Sequence, residues 1–201
     1  MKKQFAALAA AALLTAAGCS QDSNAHSGMG MGMGNTSETT AAAADLPKGV
    51  AQADVTFAQS MIPHHRQAVE MADHVLADGV DPEVKTIATR IKEAQGPEIE
   101  TMSRWLEGWK RDVPAEGDHT SMDGMMSDDD MASFMETSGA DLDSMFLTMM
   151  IEHHEGAIAM ANTEITDGED PDAVALAESI SSSQEAEIDE MRTLLGNLTS
   201  A

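Results

Sequence analysis

Two His-His pairs stand 89 positions apart, each framed by the same methionines. The first lies in Met61-Ile62-Pro63-His64-His65-Arg66-Gln67-Ala68-Val69-Glu70-Met71-Ala72. The second lies in Met150-Ile151-Glu152-His153-His154-Glu155-Gly156-Ala157-Ile158-Ala159-Met160-Ala161. Imidazole nitrogens and thioether sulfurs form a donor set for a soft ion. They select copper, Cu(I) above all with Cu(II) possible, because soft sulfur matches the soft ion. A zinc site would be expected to combine His with carboxylate or thiolate in a closed tetrahedral set. A single Met on a helical stripe is ordinarily core filler, and a single inward His is ordinarily a hydrogen-bonded core residue. Two adjacent histidines with Met at −3 and +7, kept through a duplication, are better explained as ligands.

The duplication is the frame for these residues. Residues 57–109 align without a gap on 146–198, with 19 of 53 positions identical. In the first copy Phe57, Met61, His64, His65, Ala68, Met71, Ala72 and Val75 recur at spacings of three and four, which predicts one helix stripe. Asp78-Gly79-Val80-Asp81-Pro82 then breaks the chain, with Gly79 suited to a helix C′ position, Asp81 to an N-cap and Pro82 to a first helical position. Val84, Ile87, Ala88, Ile91, Gln95, Ile99, Met102 and Leu106 form the return stripe. The second copy repeats the plan around Asp167-Gly168-Glu169-Asp170-Pro171 and returns through Leu176, Ile180, Gln184, Ile188, Met191 and Leu195. Each copy is thus a helical hairpin that cannot bury its apolar face alone. The predicted fold is all-α, a four-helix bundle of two duplicated hairpins. Equal rise along antiparallel helices brings Gln95, Glu98 and Met102 toward His64 and His65, and Gln184, Glu187 and Met191 toward His153 and His154.

The remaining sequence sets the context. Lys2 and Lys3, the apolar run Phe5–Leu14 and Ala16-Ala17-Gly18 read as a signal peptide over residues 1–18. The sole cysteine, Cys19, follows at once, in the order of a bacterial lipoprotein whose cysteine is lipidated, although Ala16 stands where Leu is usual. Residues 19–53 read as a flexible tether containing Met29, Met31 and Met33. The duplicated domain spans 54–198, with hairpin one at 54–111, a Met- and Asp-rich insert at 112–139 and hairpin two at 140–198. The insert reads as loosely held, so its thioethers are expected to bind more weakly than those on packed helices. The formal charge of −24, or −26 once residues 1–18 and their two lysines are gone, repels nucleic acid and anionic membrane surfaces. No Gly-rich phosphate loop or Ser/His/Asp order stands out, and the single Glu-x-x-His match, Glu116 to His119, lies in the insert. His74 and His26 have no counterpart in the repeat and read as surface or tether residues.

The stretches Met61-Ile62-Pro63-His64-His65, Ala68, Met71-Ala72 and Gln95, Glu98-Ile99, Met102, Trp105-Leu106 resemble the signature of the domain-of-unknown-function 305 family. The resemblance covers both hairpins, and it implies an exported protein with a ferritin-like bundle and a link to copper binding and tolerance. Carried over residue by residue, it implies Met61, His64, His65, Met71 and Met102 as copper ligands or near-ligands. Their second-copy counterparts are Met150, His153, His154, Met160 and Met191.

The expectation is therefore an extracytoplasmic copper-binding protein, not an enzyme, that buffers or delivers copper at the cell envelope. Its partners would be copper ions and another envelope copper protein, with the membrane reached through the lipid anchor only. The alternative is a structural or interaction bundle with a Met-rich packing face. Imidazole binds metal only when neutral, so its unperturbed pKa of about 6.5 places proton competition below roughly pH 6.5. For the anchor, mass spectrometry of the mature protein is expected to find an acylated N-terminus at Cys19 and membrane association. Cys19→Ser is expected to release the protein, and any other N-terminus refutes the anchor.

Overall fold

The computed structural model describes residues 46–117 and 122–200. The signal segment, Cys19, most of the tether, His26 and His119 lie outside the described residues. Five helices follow one another: α1 (Gln52–Asp78), α2 (Pro82–Gly108), α3 (Asp128–Glu136), α4 (Gly139–Asp167) and α5 (Pro171–Leu198). The four long ones make the two expected hairpins, α1 on α2 and α4 on α5, and the hairpins meet chiefly through α1 against α4. Among the described residues no helix is long and apolar enough to cross a membrane.

Local chemistry accounts for the helix ends. Asp81 accepts from the amides of Glu83 and Val84 at 2.8 and 3.1 Å, and Asp170 from those of Asp172 and Ala173 at 2.9 and 3.2 Å. Pro82 and Pro171 follow these caps, where no amide is needed. Gly79 and Gly168 have a different reason from the one expected. Both are extended, at φ −69° and −72°, and not left-handed. They are required because a carboxyl group tucks under each turn: a Cβ at Gly79 would lie 2.5 Å from Asp143 Oδ1, and one at Gly168 would strike the Glu164 carboxyl. Helix α1 runs on through Pro63, which denies the Gln59 carbonyl its usual donor.

Two buried aspartates lock the hairpins together through the turn amides. Asp143, on α4, accepts from the amides of Val80 and Asp81 at 3.1 and 2.8 Å. Asp54, on α1, accepts from those of Glu169 and Asp170 at 3.1 and 3.0 Å. Both are fully buried, and they are 89 positions apart, so each copy caps the turn of the other. Amide-to-carboxylate bonds of this kind contribute ~1.5–3 kcal/mol each.

The insert is not loose where it is described. Gln59 donates to the Asp112 carbonyl at 2.9 Å, and Arg66 to those of Pro114 and Ala115 at 2.8 and 3.0 Å, so its first leg runs back along α1. Helix α3 buries Phe134 in the core. His74 is not a surface residue: its ring meets Phe134 edge-on at 5.4 Å, and its Nε2 lies 3.0 Å from the Thr137 carbonyl.

Glu164 gives the fold a pH dependence. Burial first, then the neighbouring Asp54, raises its pKa from 4.5 to about 8. The folded state therefore holds a proton that the unfolded state releases, and stability falls as pH rises from about 4.5 to about 8. Thermal unfolding of the metal-free protein is expected to weaken between pH 6.5 and 8.5, and Glu164→Gln to abolish that fall. An unchanged slope in Glu164→Gln refutes the assignment.

Candidate metal centre

Helical pitch and the antiparallel crossing of α1 and α4 bring both His-His pairs to one place. All four histidines are fully buried, and the rings of His64 and His153 meet with centroids 3.7 Å apart. His65 and His154 flank this central pair. His65 Nε2 lies 2.7 Å from Glu98 Oε2, and His154 Nε2 lies 2.8 Å from Glu187 Oε2. The hairpin register expected from the sequence thus holds in both halves. A carboxylate only accepts, so each Nε2 carries the hydrogen and donates. The neutral tautomer then leaves its lone pair on Nδ1, the arrangement by which a carboxylate orients a metal-binding histidine.

The layer is unsatisfied within the protein. His64 and His153 have no partner for either ring nitrogen, and Nδ1 of His65 and of His154 has none. Gln95, with both amide atoms, and Gln184, with its oxygen, add to the group. Leaving a buried donor or acceptor unpaired costs ~1–3 kcal/mol, so so many together point to a function that uses them. The donor chemistry fits copper, since buried, neutral imidazole nitrogens are what the ion needs. Among the described residues no three His, Cys, Asp or Glu side chains are placed to hold a metal between them.

The methionines lie on both sides of this layer, and the helix crossing re-sorts them. One apolar cluster holds Met71 from the first copy with Met150 and Met191 from the second. The other holds Met61 and Met102 from the first, with Met160 of the second packed against it. All are fully buried except Met160, which is half-buried. Each side therefore draws on both copies. The sequence could not show this regrouping, because it depends on α1 and α4 running antiparallel through the histidine layer. It also gave no notice of Gln67, which is buried and bonds to the insert.

The family model described as "Domain of unknown function (DUF305)" matches residues 54–195. The chain belongs to the DUF305 family. Solved relatives have the same fold. A DUF305 protein from Streptomyces coelicolor is 31% identical with a TM-score of 0.68, over 73% of this chain and 94% of that one. A DUF305 fragment from Deinococcus radiodurans is 29% identical with a TM-score of 0.66, over 74% and 98%. CopM in its Cu(I)-bound form is 34% identical with a TM-score of 0.61, over 72% and 96%. No curated protein matches the chain. The DUF305 match covers both hairpins and the insert between them.

Burial changes the electrostatics expected of these imidazoles. Desolvation first, then the neighbouring His65 and His154, lowers the pKa of His64 from 6.5 to about 3. Desolvation, followed by repulsion from His64 and the flanking histidines, holds His153 well below 6.5. The central pair is therefore neutral far into acid, and proton competition at these two rings moves well below the pH 6.5 expected from the sequence. The linked stability has a definite sign. The unfolded chain takes up protons at these positions below pH 6.5 and the folded chain does not, so stability is lost as pH falls from 6.5 toward 3. Urea unfolding of the metal-free protein at pH 7 and at about pH 4.5 is expected to show this loss, and His64→Leu/His153→Leu to reduce it. An equal loss in the variant refutes the assignment.

Proposed function

We propose that this DUF305 protein binds copper, favouring Cu(I), and buffers or delivers it at the cell envelope. The observation that carries this reading is the buried, neutral central pair, His64 and His153, whose ring nitrogens make no hydrogen bond and which is bounded on both sides by methionine thioethers. Neutral nitrogen and thioether sulfur together favour Cu(I), and the imidazoles also accept Cu(II). Relatives about one-third identical, CopM in Cu(I)- and Cu(II)-bound forms, support it.

The signal-like N-terminus and Cys19 support export and a lipid anchor, which suit a protein that meets copper outside the cytoplasm. Packed helices bearing imidazole and thioether ligands, with Glu98 and Glu187 spent on orienting His65 and His154, suit holding and transfer, so we read the protein as a binder and not an enzyme. An interaction bundle is less well supported, because its methionine face would need to be open. The stripe methionines are instead interior, and among the described residues the exposed large apolar side chains are Val80 and Met135.

Anaerobic titration of the mature protein against chromophoric competitors tests the reading. Met71→Leu/Met150→Leu/Met191→Leu keeps volume and apolarity close, so the bundle is expected to fold at modest cost. Its Cu(I) affinity is expected to fall much more than its Cu(II) affinity, whereas His64→Ala/His153→Ala weakens both. Full Cu(I) affinity in both the methionine and the histidine variants refutes the proposed centre.

A further inference from the structure

The duplication breaks at one informative pair. Gln67 and Gly156 are equivalent positions, 89 apart, and each lies three residues after the first histidine of its pair, on the same helix face. The insert crosses the bundle at these two residues. The buried Gln67 amide donates to the Met126 carbonyl at 2.9 Å and accepts from the Met126 amide at 2.8 Å, a closed pair of bonds. Opposite, Gly156 lets the insert backbone rest directly on α4. A Cβ there would collide with the Asp123 carbonyl oxygen and lie 2.7 Å from Gly124 Cα. Gly124 is itself left-handed, at φ +83°, and a Cβ on it would lie 2.7 Å from Gly156 Cα. The strap backbone rests on the Glu152–Gly156 turn of α4, the turn that carries His153. One copy thus supplies the latch and the other the bed for a strap, residues 122–126, across the seam where His64 meets His153.

The strap's own side chains suit the layer beneath it. Three of its five residues are methionines, all half-buried. Met122 lines a surface cleft with Ser60 and Pro63, next to His64 in sequence. Met126 packs against the interior cluster that holds Met71 and Met150. Thioethers therefore run from solvent-facing cleft to core beside the buried imidazoles. A strap that served only to tie helices together would have no need of sulfur in every apolar side chain.

We propose that residues 122–126 are a port for a soft monovalent cation. The strap thioethers take the ion from solvent, and the strap lifts from Gly156 to pass it to the His64/His153 pair. The inference rests on the copper reading above and assigns its route of access. Ag(I), which is redox-inert, is the probe, supplied to the mature metal-free protein in stopped flow and withdrawn with a chromophoric competitor. Gln67→Ala removes both latch bonds, so the open strap and hence uptake and release should rise together, by roughly tenfold or more, with affinity little changed. Gly156→Ala, which lifts the strap without deleting a hydrogen bond, should do the same and guards against a folding defect in the first variant. Met122→Leu/Met125→Leu/Met126→Leu should slow uptake by roughly tenfold or more while the strap stays shut. Hydrogen exchange at the Met126 amide reports whether the strap has opened. Wild-type exchange rates for Ag(I) in all three variants, with Met126 exchange showing the strap unlatched in Gln67→Ala, overturn the port. If Ag(I) binding then still depends on His64 and His153, the copper reading stands without it. A wild-type protein that takes up no Ag(I) overturns both.

Discussion

The rest of the structure depends on keeping a layer of imidazoles dry. His64 and His153 meet across the α1–α4 contact with their rings tilted by 41°, His65 and His154 stand beside them, and none of the four reaches solvent. The layer divides the apolar core into two clusters, one on each side, instead of the single continuous core usual in a domain of this size. Unpaired polar atoms at the centre oppose folding, so the two clusters and the helix-turn locks must offset them. What the arrangement gains is a neutral pair, His64 and His153, whose lone pairs are not engaged by the protein itself.

The locks show how duplication solved this problem. Each turn carries its own N-cap, Asp81 or Asp170, but takes a further carboxylate from the other copy. Here Asp54 caps the α4–α5 turn and Asp143 the α1–α2 turn, so neither turn is complete until the hairpins pack. Completion of the turns and burial of the histidines both require the two hairpins to be packed. Glu98 and Glu187 then hold the outer imidazoles by the same bond in each half, and the site has the symmetry of the fold.

Departures from that symmetry are where the two copies took separate roles. Glu164 occupies the repeat position of Val75, and its buried carboxyl keeps a proton where the other half is apolar. Gln67 stands opposite Gly156, and together they seat the insert over the imidazoles. The insert belongs to neither repeat, so it can cover only one face of a symmetric site. That asymmetry distinguishes a covered face of the layer from its opposite face.

The sequence by itself determined much of this. The repeat, the 3/4 stripes, the Asp-Pro helix starts and the register of His65 with Glu98 all follow from short-range periodicity and capping, which act within one hairpin. The paired Asp54 and Asp143 were also present as an offset of 89, but their role as locks was not legible, because each acts on the other copy's turn. Tertiary structure alone decided three matters. It set His64 against His153, because spacing within one hairpin does not specify which helix of the other hairpin it meets. It sorted Met71 with Met150 and Met191, and Met61 and Met102 with Met160, because α1 and α4 run in opposite directions through the layer. It also turned a Gly-, Asp- and Met-rich insert into a seated strap, because the missing Cβ of Gly156 and the buried amide of Gln67 act only when two distant helices present them side by side.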